Sequence, residues 1–297
     1  MPRPLAPSAH RALVALAAGT AVLAIGAATA TSALAATTPT VTTLVSASFD
    51  SLVTGRVTPD GFNKQLGSTS KATSSYDDMS AITVTGRGQV VRTKLDAGSY
   101  HTYPAGNNGA AMFVTLPRVV NNACLQYDIR FDGSFDWSMG GKLPGLEGVA
   151  PGVYPSVPTG GTYAGSQGWS GRLMWLGPKA YSWAGPVDQA VTYMYNPLQS
   201  GSYGDNVRWN KAFVAGQWHT VKVCYTMNTV GYANGKLQAW MDGVQVLNNT
   251  AYKYRTRSDV GISHIAWHLF RGGNNSNWAS GRTGYVDIDN VKVTTVG

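Results

Sequence analysis

Five residues in the middle of this 297-residue chain combine acid–base and charge-stabilising groups at strand spacing. Ser170 and Arg172 are two apart in WSGRLMW (169–175), and Tyr193 and Tyr195 are two apart in TYMYN (192–196). Lys142 stands in MGGKLPGLEG (139–148). In an extended strand, residues two apart share a face, so Ser170 and Arg172 point one way while Gly171, Leu173 and Trp175 point the other. If the Ser-Arg and Tyr-Tyr faces meet, a hydroxyl, a guanidinium and two phenols converge on one groove, with Lys142 supplied by the preceding loop.

That constellation contains no carboxylate. Glu147 is the only glutamate in the chain, and the other fourteen acids are aspartates. Hydrolysis of a glycoside by a carboxyl pair needs two acids flanking the scissile bond. The nearest approximation, Asp287 and Asp289 in YVDIDNV, reads as surface or turn-stabilising acids with at most a structural Ca²⁺ site, and no other cofactor is expected. Elimination in a polyuronic acid fits better. A cation neutralises the carboxylate on C5 and acidifies the C5 proton, a phenolate or amine removes that proton, and a phenol protonates the departing O4. Tyrosine and lysine both titrate near about 10, so the base must be shifted down, and Lys142 and Arg172 beside the tyrosines are expected to do this. GWSGR does not place its glycines as a G-x-S-x-G elbow would, which argues against a serine nucleophile at Ser170.

The elements that must position these groups are short alternating runs bounded by Gly, Pro, Asn or Asp. Strands are expected at 41–49, 81–85, 89–95, 111–116, 124–131, 171–176, 192–195, 219–226, 236–241, 245–247, 264–270 and 285–293. This pattern predicts an all-β sandwich or jelly roll, with the clearest hairpin at Met241-Asp242-Gly243. Outside the two short runs at 171–176 and 192–195, residues 140–210 break the rhythm with Gly, Pro, Ser and aromatics and read as the long loops in which a site sits. Trp137, Trp169, Trp175, Trp183, Trp209 and Trp278 lie in or beside them and could stack sugar rings. In SHIAWHLF, His264, His268 and Phe270 share a face opposite Ile265, Trp267 and Leu269. One of His264 and His268, or His101 in SYHTYP, could reach the groove.

Residues 1–35 carry Arg3 and Arg11, an apolar stretch from Ala12 to Ala30 and an Ala33-Leu34-Ala35 site, the features of a secretory signal peptide. The mature chain, 36–297, is then expected to be one secreted, monomeric β-domain. Its loss of two arginines lowers the net charge from +8 to +6. A positive surplus on a chain only 13% charged points to an anionic partner. The charge is dispersed and no basic run appears, which argues against nucleic acid, and no second apolar run suggests a membrane. Cys124 and Cys224, the only cysteines, either form one disulfide or remain buried thiols.

GGKLPGL (140–146), SGR (170–172) and YMY (193–195) occur in that order, followed by FRGG (270–273) and DIDNVKV (287–293). Together they resemble the family-14 polysaccharide lyases, alginate and glucuronan lyases with a β-jelly roll. The resemblance spans roughly 120–295. It implies a single-domain jelly roll of two antiparallel sheets with an open cleft, and a secreted lyase that cleaves 1,4-linked polyuronates to 4,5-unsaturated ends. Carried over by position, it implies a catalytic cleft lined by Lys142, Ser170, Arg172, Tyr193 and Tyr195. Gly141, Trp169, His268 and Arg271 are then expected at the substrate. Which of Lys142, Tyr193 and Tyr195 is base or acid stays open. The favoured reading puts Lys142 and Arg172 on the carboxylate, one tyrosine as base, the other as acid, and Ser170 as an orienting hydroxyl. The competing reading is a non-catalytic carbohydrate-binding module on the same scaffold.

Overall fold

The computed structural model describes residues 40–67, 78–101, 109–153, 167–180, 189–199 and 201–297. The leader at 1–35 and Trp183 lie outside them. The strands are β1 (Val41–Ala47), β2 (Gly55–Arg56), β3 (Met79–Val84), β4 (Gly88–Leu95), β5 (Ala110–Val120), β6 (Asn122–Phe131), β7 (Gly140–Val149) and β8 (Gly168–Leu176). They continue with β9 (Gln189–Tyr195), β10 (Asp205–Ala212), β11 (Trp218–Thr226), β12 (Gly235–Met241), β13 (Val244–Tyr252), β14 (Ile262–Arg271) and β15 (Gly284–Val296). A short helix, α1 (Pro59–Gln65), and a 3-10 turn at Ser276–Trp278 are the helical elements among the described residues. The strands form two antiparallel sheets. One runs β13-β12-β11-β6-β15-β4-β3-β2 with β1 also on β15, and the other runs β10-β9-β8-β7-β14-β5.

Alternation explains most of this. In β6, Leu125, Tyr127, Ile129 and Phe131 are buried, and in β14 so are Ile265, Trp267 and Leu269. These inward rows meet between the sheets in one apolar core. The hairpin at Asp242-Gly243 has φ of 52° and 80°, the two positive values that a type I′ turn requires. Cys124 and Cys224 face each other across β6 and β11 and are disulfide-bonded. Asp287 and Asp289, expected as surface or turn acids or a Ca²⁺ site, are instead buried and ion-paired. Asp287 takes Arg92 at 2.7 Å and Arg130 at 2.7 Å, and Asp289 takes Arg87 at 2.9 Å. Those guanidiniums occupy the oxygens that a cation would need.

The strands expected at 171–176 and 192–195 are found as β8 and β9, but the expectation of long loops over the rest of 140–210 is overturned where the chain is described, because β7 and β10 also fall there and the four together make up most of the six-stranded second sheet. Lys142 therefore projects from a central strand, not from a loop. β7 is buried along nearly its whole length, so it shows no hydrophobic alternation. Its pairing slips between Leu143 and Gly145, placing Pro144 at a bulge, where a residue without an N–H costs the ladder least. The Tyr127 hydroxyl donates to the Pro144 carbonyl at 3.0 Å and ties the bulge to the other sheet.

Gly141 is on the core face of β7, not at the substrate. A Cβ there would lie 2.1 Å from the Trp175 ring and 2.5 Å from the Phe270 carbonyl oxygen. The glycine lets β7 pack over the buried indole. Gly141→Ala is expected to lower stability by about 1–3 kcal/mol through overpacking. An unchanged urea midpoint would show that this face has room to spare.

Candidate active site

Paired residues of antiparallel strands share a face, so the register of the second sheet lays out the site. One row across β7, β8 and β9 is Lys142–Met174–Val191, the next is Gly145–Arg172–Tyr193, and the third is Glu147–Ser170–Tyr195. β10 adds Asn206 beside Tyr193, and β14 adds Phe270 beside Lys142 and His264 beside Glu147. The bulge at Pro144 makes these rows possible. Lys142 and Glu147 are five residues apart and would lie on opposite faces of a regular strand. Above this face opens a cleft of about 570 Å³ lined by Lys142, Arg172, Tyr193 and Tyr195, with His101, Tyr203, Asn206, Asn274, Asn275 and Trp278 in its walls.

The two cations are close-packed with aromatic groups and have no carboxylate in salt-bridge contact among the described residues. Lys142 Nζ lies 2.9 Å from Met174 Sδ, 3.4 Å from the Gly272 carbonyl and 3.9 Å from the centre of the Tyr193 ring. Burial, reinforced by Arg172, holds its amine well below the usual lysine range. The Arg172 guanidinium sits 5.5 and 5.8 Å from the ring centres of Tyr193 and Tyr195 and 3.1 Å from His268 Nδ1. Burial also keeps His268 well below its ordinary value, with Arg172, Lys142 and His101 adding to the effect. The imidazole beside Arg172 is therefore neutral.

The two phenols form a pair. Tyr193 Oη and Tyr195 Oη are 3.2 Å apart, and the Gly204 N–H donates to Tyr193 Oη at 3.0 Å. The expectation that the neighbouring cations depress the phenols fails at Tyr193. Burial and the adjacent Tyr195 raise its titration well above that of free tyrosine and outweigh Arg172, which acts in the opposite direction. A group held in this way is a proton donor, not a ready phenolate.

The structure thus brings Lys142, Arg172, Tyr193 and Tyr195 together, and places other expected residues elsewhere. Ser170 shares their face but is fully buried, beneath the cleft rather than in its lining. His268 is behind Arg172. Trp169 is not at the substrate, because it packs in the core against Tyr225 and Tyr254 and its indole N–H donates to the Gly261 carbonyl at 3.0 Å. Arg271 also points away from the cleft. It lies over the Phe135 ring, donates to the Asp136 carbonyl, and is pushed down to about 10 by burial. Trp175 and Trp209 are core residues, Trp137 packs against the core, and Trp278 reaches the cleft.

Sequence reasoning missed Asn206, Tyr203, Asn274 and Asn275, whose segments carried no motif. It also gave no site role to Glu147, the lone acid on this face.

A lysine whose titration is depressed in the folded state costs stability wherever it is charged. The cost is full below the depressed value and fades as pH rises toward the unfolded-chain value near about 10.5. Lys142→Met is therefore expected to raise the melting temperature more at mildly acidic pH than at alkaline pH. A pH-independent difference would mean that Lys142 titrates as an ordinary lysine.

Comparisons with known proteins identify the family and the fold. The family model described as Polysaccharide lyase 14 matches residues 83–291. No curated protein matches the sequence. Among solved structures, a marine alginate lyase from Aplysia kurodai superimposes with a TM-score of 0.70 at 23% identity, covering 85% of this chain and 98% of that one. Alginate lyase Aly36B gives a TM-score of 0.68 at 23% identity over 84% of this chain and 95% of its own. Alginate lyase vAL-1 from Chlorella virus gives 0.57 at 17% identity over 72% and 88%. These likenesses carry the jelly-roll fold, while the family model spans most of the sequence and all four residues that the cleft brings together: the chain belongs to polysaccharide lyase family 14.

Proposed function

We propose that the cleft cleaves 1,4-linked polyuronates, alginate foremost, by β-elimination, with Lys142 as base and Tyr195 as acid. The observation that carries this reading is the placement of two buried basic side chains without carboxylate partners in salt-bridge contact beside two hydrogen-bonded phenols. Arg172 neutralises the C5 carboxylate of the bound uronate and acidifies the proton on C5. The Lys142 amine, whose charged form is disfavoured by burial, accepts that proton. The C–H electron pair becomes the C4=C5 double bond as the C4–O4 bond breaks, and a phenol supplies the proton that O4 needs. The Gly204 N–H donates to Tyr193 Oη, and in the arrangement that serves the reaction Tyr193 donates to Tyr195 Oη and leaves the Tyr195 proton for the leaving oxygen. The cycle closes when the Lys142 ammonium gives up its proton and the Tyr195 phenolate regains one.

This assignment exchanges the roles favoured from the sequence, where a tyrosine was the base. Alginate is preferred because alginate lyases are the structural neighbours, one of them a substituted Aly36B in complex with an alginate tetrasaccharide. Export of the mature chain, 36–297, is part of the same proposal. The leader-like segment supports it, and so does a disulfide that an oxidising compartment would maintain.

Purified protein mixed with alginate, polymannuronate, polyguluronate or glucuronan is expected to release products with the ultraviolet absorbance of the conjugated C4=C5 double bond. Lys142→Ala and Tyr195→Phe should each lower turnover by about a hundredfold or more. Binding without unsaturated product would favour a carbohydrate-binding module, and new reducing ends without unsaturation would mean hydrolysis.

A further inference from the structure

Glu147 is the one carboxyl on the cleft face of β7, and the elimination chemistry leaves it unused. It is fully buried, and neither carboxylate oxygen has a hydrogen-bond partner. Its row neighbour Ser170 also has an unpartnered hydroxyl, and Arg172 Nε has no acceptor. Buried polar groups in folded proteins are rarely left this way, so three in one patch mark a place where charge is managed and not merely packed.

The groups facing Glu147 can be named strand by strand. On β8 they are Ser170 in the same row and Arg172 in the next, and on β9 the row ends in Tyr195. On β14, His264 stands directly opposite, with His268 further along the same face. Burial pushes His264 down to about 4, and it shares a 2.8 Å contact with Ser263 Oγ, so it is neutral at working pH. His268 is neutral for the reason given above. Arg172 is then the permanent charge that acts on Glu147 among the described residues. The influence is mutual, since Glu147 is one of the groups favouring the charged form of Arg172.

We propose that Glu147 is a positioning residue whose carboxyl sets how much of the Arg172 charge reaches a polyuronate carboxylate, so that substrate affinity falls when Glu147 ionises. The proposal rests on the lyase reading only for the identity of the ligand. While protonated, Glu147 leaves the guanidinium potential directed into the cleft. Once ionised, it offers Arg172 an acceptor within the low-dielectric floor of the sheet and cancels part of that potential. Burial raises the Glu147 carboxyl to about 8, with Arg172 opposing the shift. The protonated form therefore prevails at neutral pH and the ionised form above it. Without the bulge at Pro144, Glu147 would face the core and could not play this part.

The test is calorimetric titration of a mannuronate trisaccharide into protein carrying Tyr195→Phe to stop turnover, with and without Glu147→Gln. Between about pH 6.5 and about pH 9.5, Kd is expected to rise about tenfold with Glu147 present and to stay flat in the Glu147→Gln protein. The same rise in both proteins, or a flat Kd in both, would overturn the proposal. A second readout does not involve sugar. An acid with a raised folded-state value loses stability as pH climbs from its unfolded-chain value toward the folded one. The melting temperature of Glu147→Gln should therefore exceed that of its parent by a margin that widens up to about pH 8 and then levels. A constant margin would also count against ionisation of Glu147 in this range. Product release by the unsubstituted protein is scored separately. Its absence would remove the lyase reading while leaving the titration to decide the role of Glu147.

Discussion

Two buried basic side chains without carboxylate partners in salt-bridge contact, Lys142 and Arg172, are the constraint around which the second sheet is built. The contrast within the molecule is direct. On the outer face of the first sheet, Arg87, Arg92 and Arg130 each hold an aspartate among Asp128, Asp287 and Asp289. On the cleft face, Lys142 and Arg172 meet a thioether, a carbonyl, phenol rings and a neutral imidazole instead. Burying charge without a counter-ion is unfavourable, and the usual response is a shift toward the neutral form. Both groups are shifted in that direction. The missing counter-ion is what a uronate carboxylate would bring, so the arrangement is complementary to the bound state and strained without it.

That arrangement depends on β7. Lys142 must face the cleft while Leu143 and Leu146 fill the core, and a regular alternation cannot satisfy all three. The slip at Pro144 resolves the conflict by changing phase in mid-strand, after which Gly145 and Glu147 share the face of Lys142. Glycine at 145 is part of the same solution, because a Cβ there would lie 2.0 Å from the Gly171 carbonyl oxygen. The GGKLPGLEG run thus encodes a bulged central strand whose small residues let neighbouring strands approach closely. Its glycines serve internal packing and do not make room for a polymer.

Much of the fold could be read from the sequence because β6, β11 and β12 alternate in the ordinary way, and the Asp242-Gly243 turn has a distinctive chemistry. The pairs Ser170/Arg172 and Tyr193/Tyr195 were legible for the same reason. β7 was not, since a strand buried on both faces and rich in Gly and Pro imitates a loop. Trp169 and Arg271 are a different kind of error. The parity that puts Ser170 and Arg172 in the cleft puts Trp169 in the core with Gly171, and the parity of His268 and Phe270 puts Arg271 there too. Motif position suggested a substrate role, and strand geometry already argued against it. Glu147 could not be placed from sequence, because only the bulge reveals which way it points.

The burial of Lys142 also bears on why this cleft is suited to chemistry more than to adhesion. A surface that only gathers polyanions does best with exposed lysines, which keep their charge at little desolvation cost and act over a Debye length. Sinking a lysine beneath a tyrosine ring forfeits part of that charge. What is gained is an amine whose charged form burial disfavours, held beside a guanidinium that supplies the attraction instead. The division of work proposed above, with Arg172 for the carboxylate and Lys142 for the proton, would suit the two different residue types. Guanidinium keeps its proton under burial that an ammonium does not withstand.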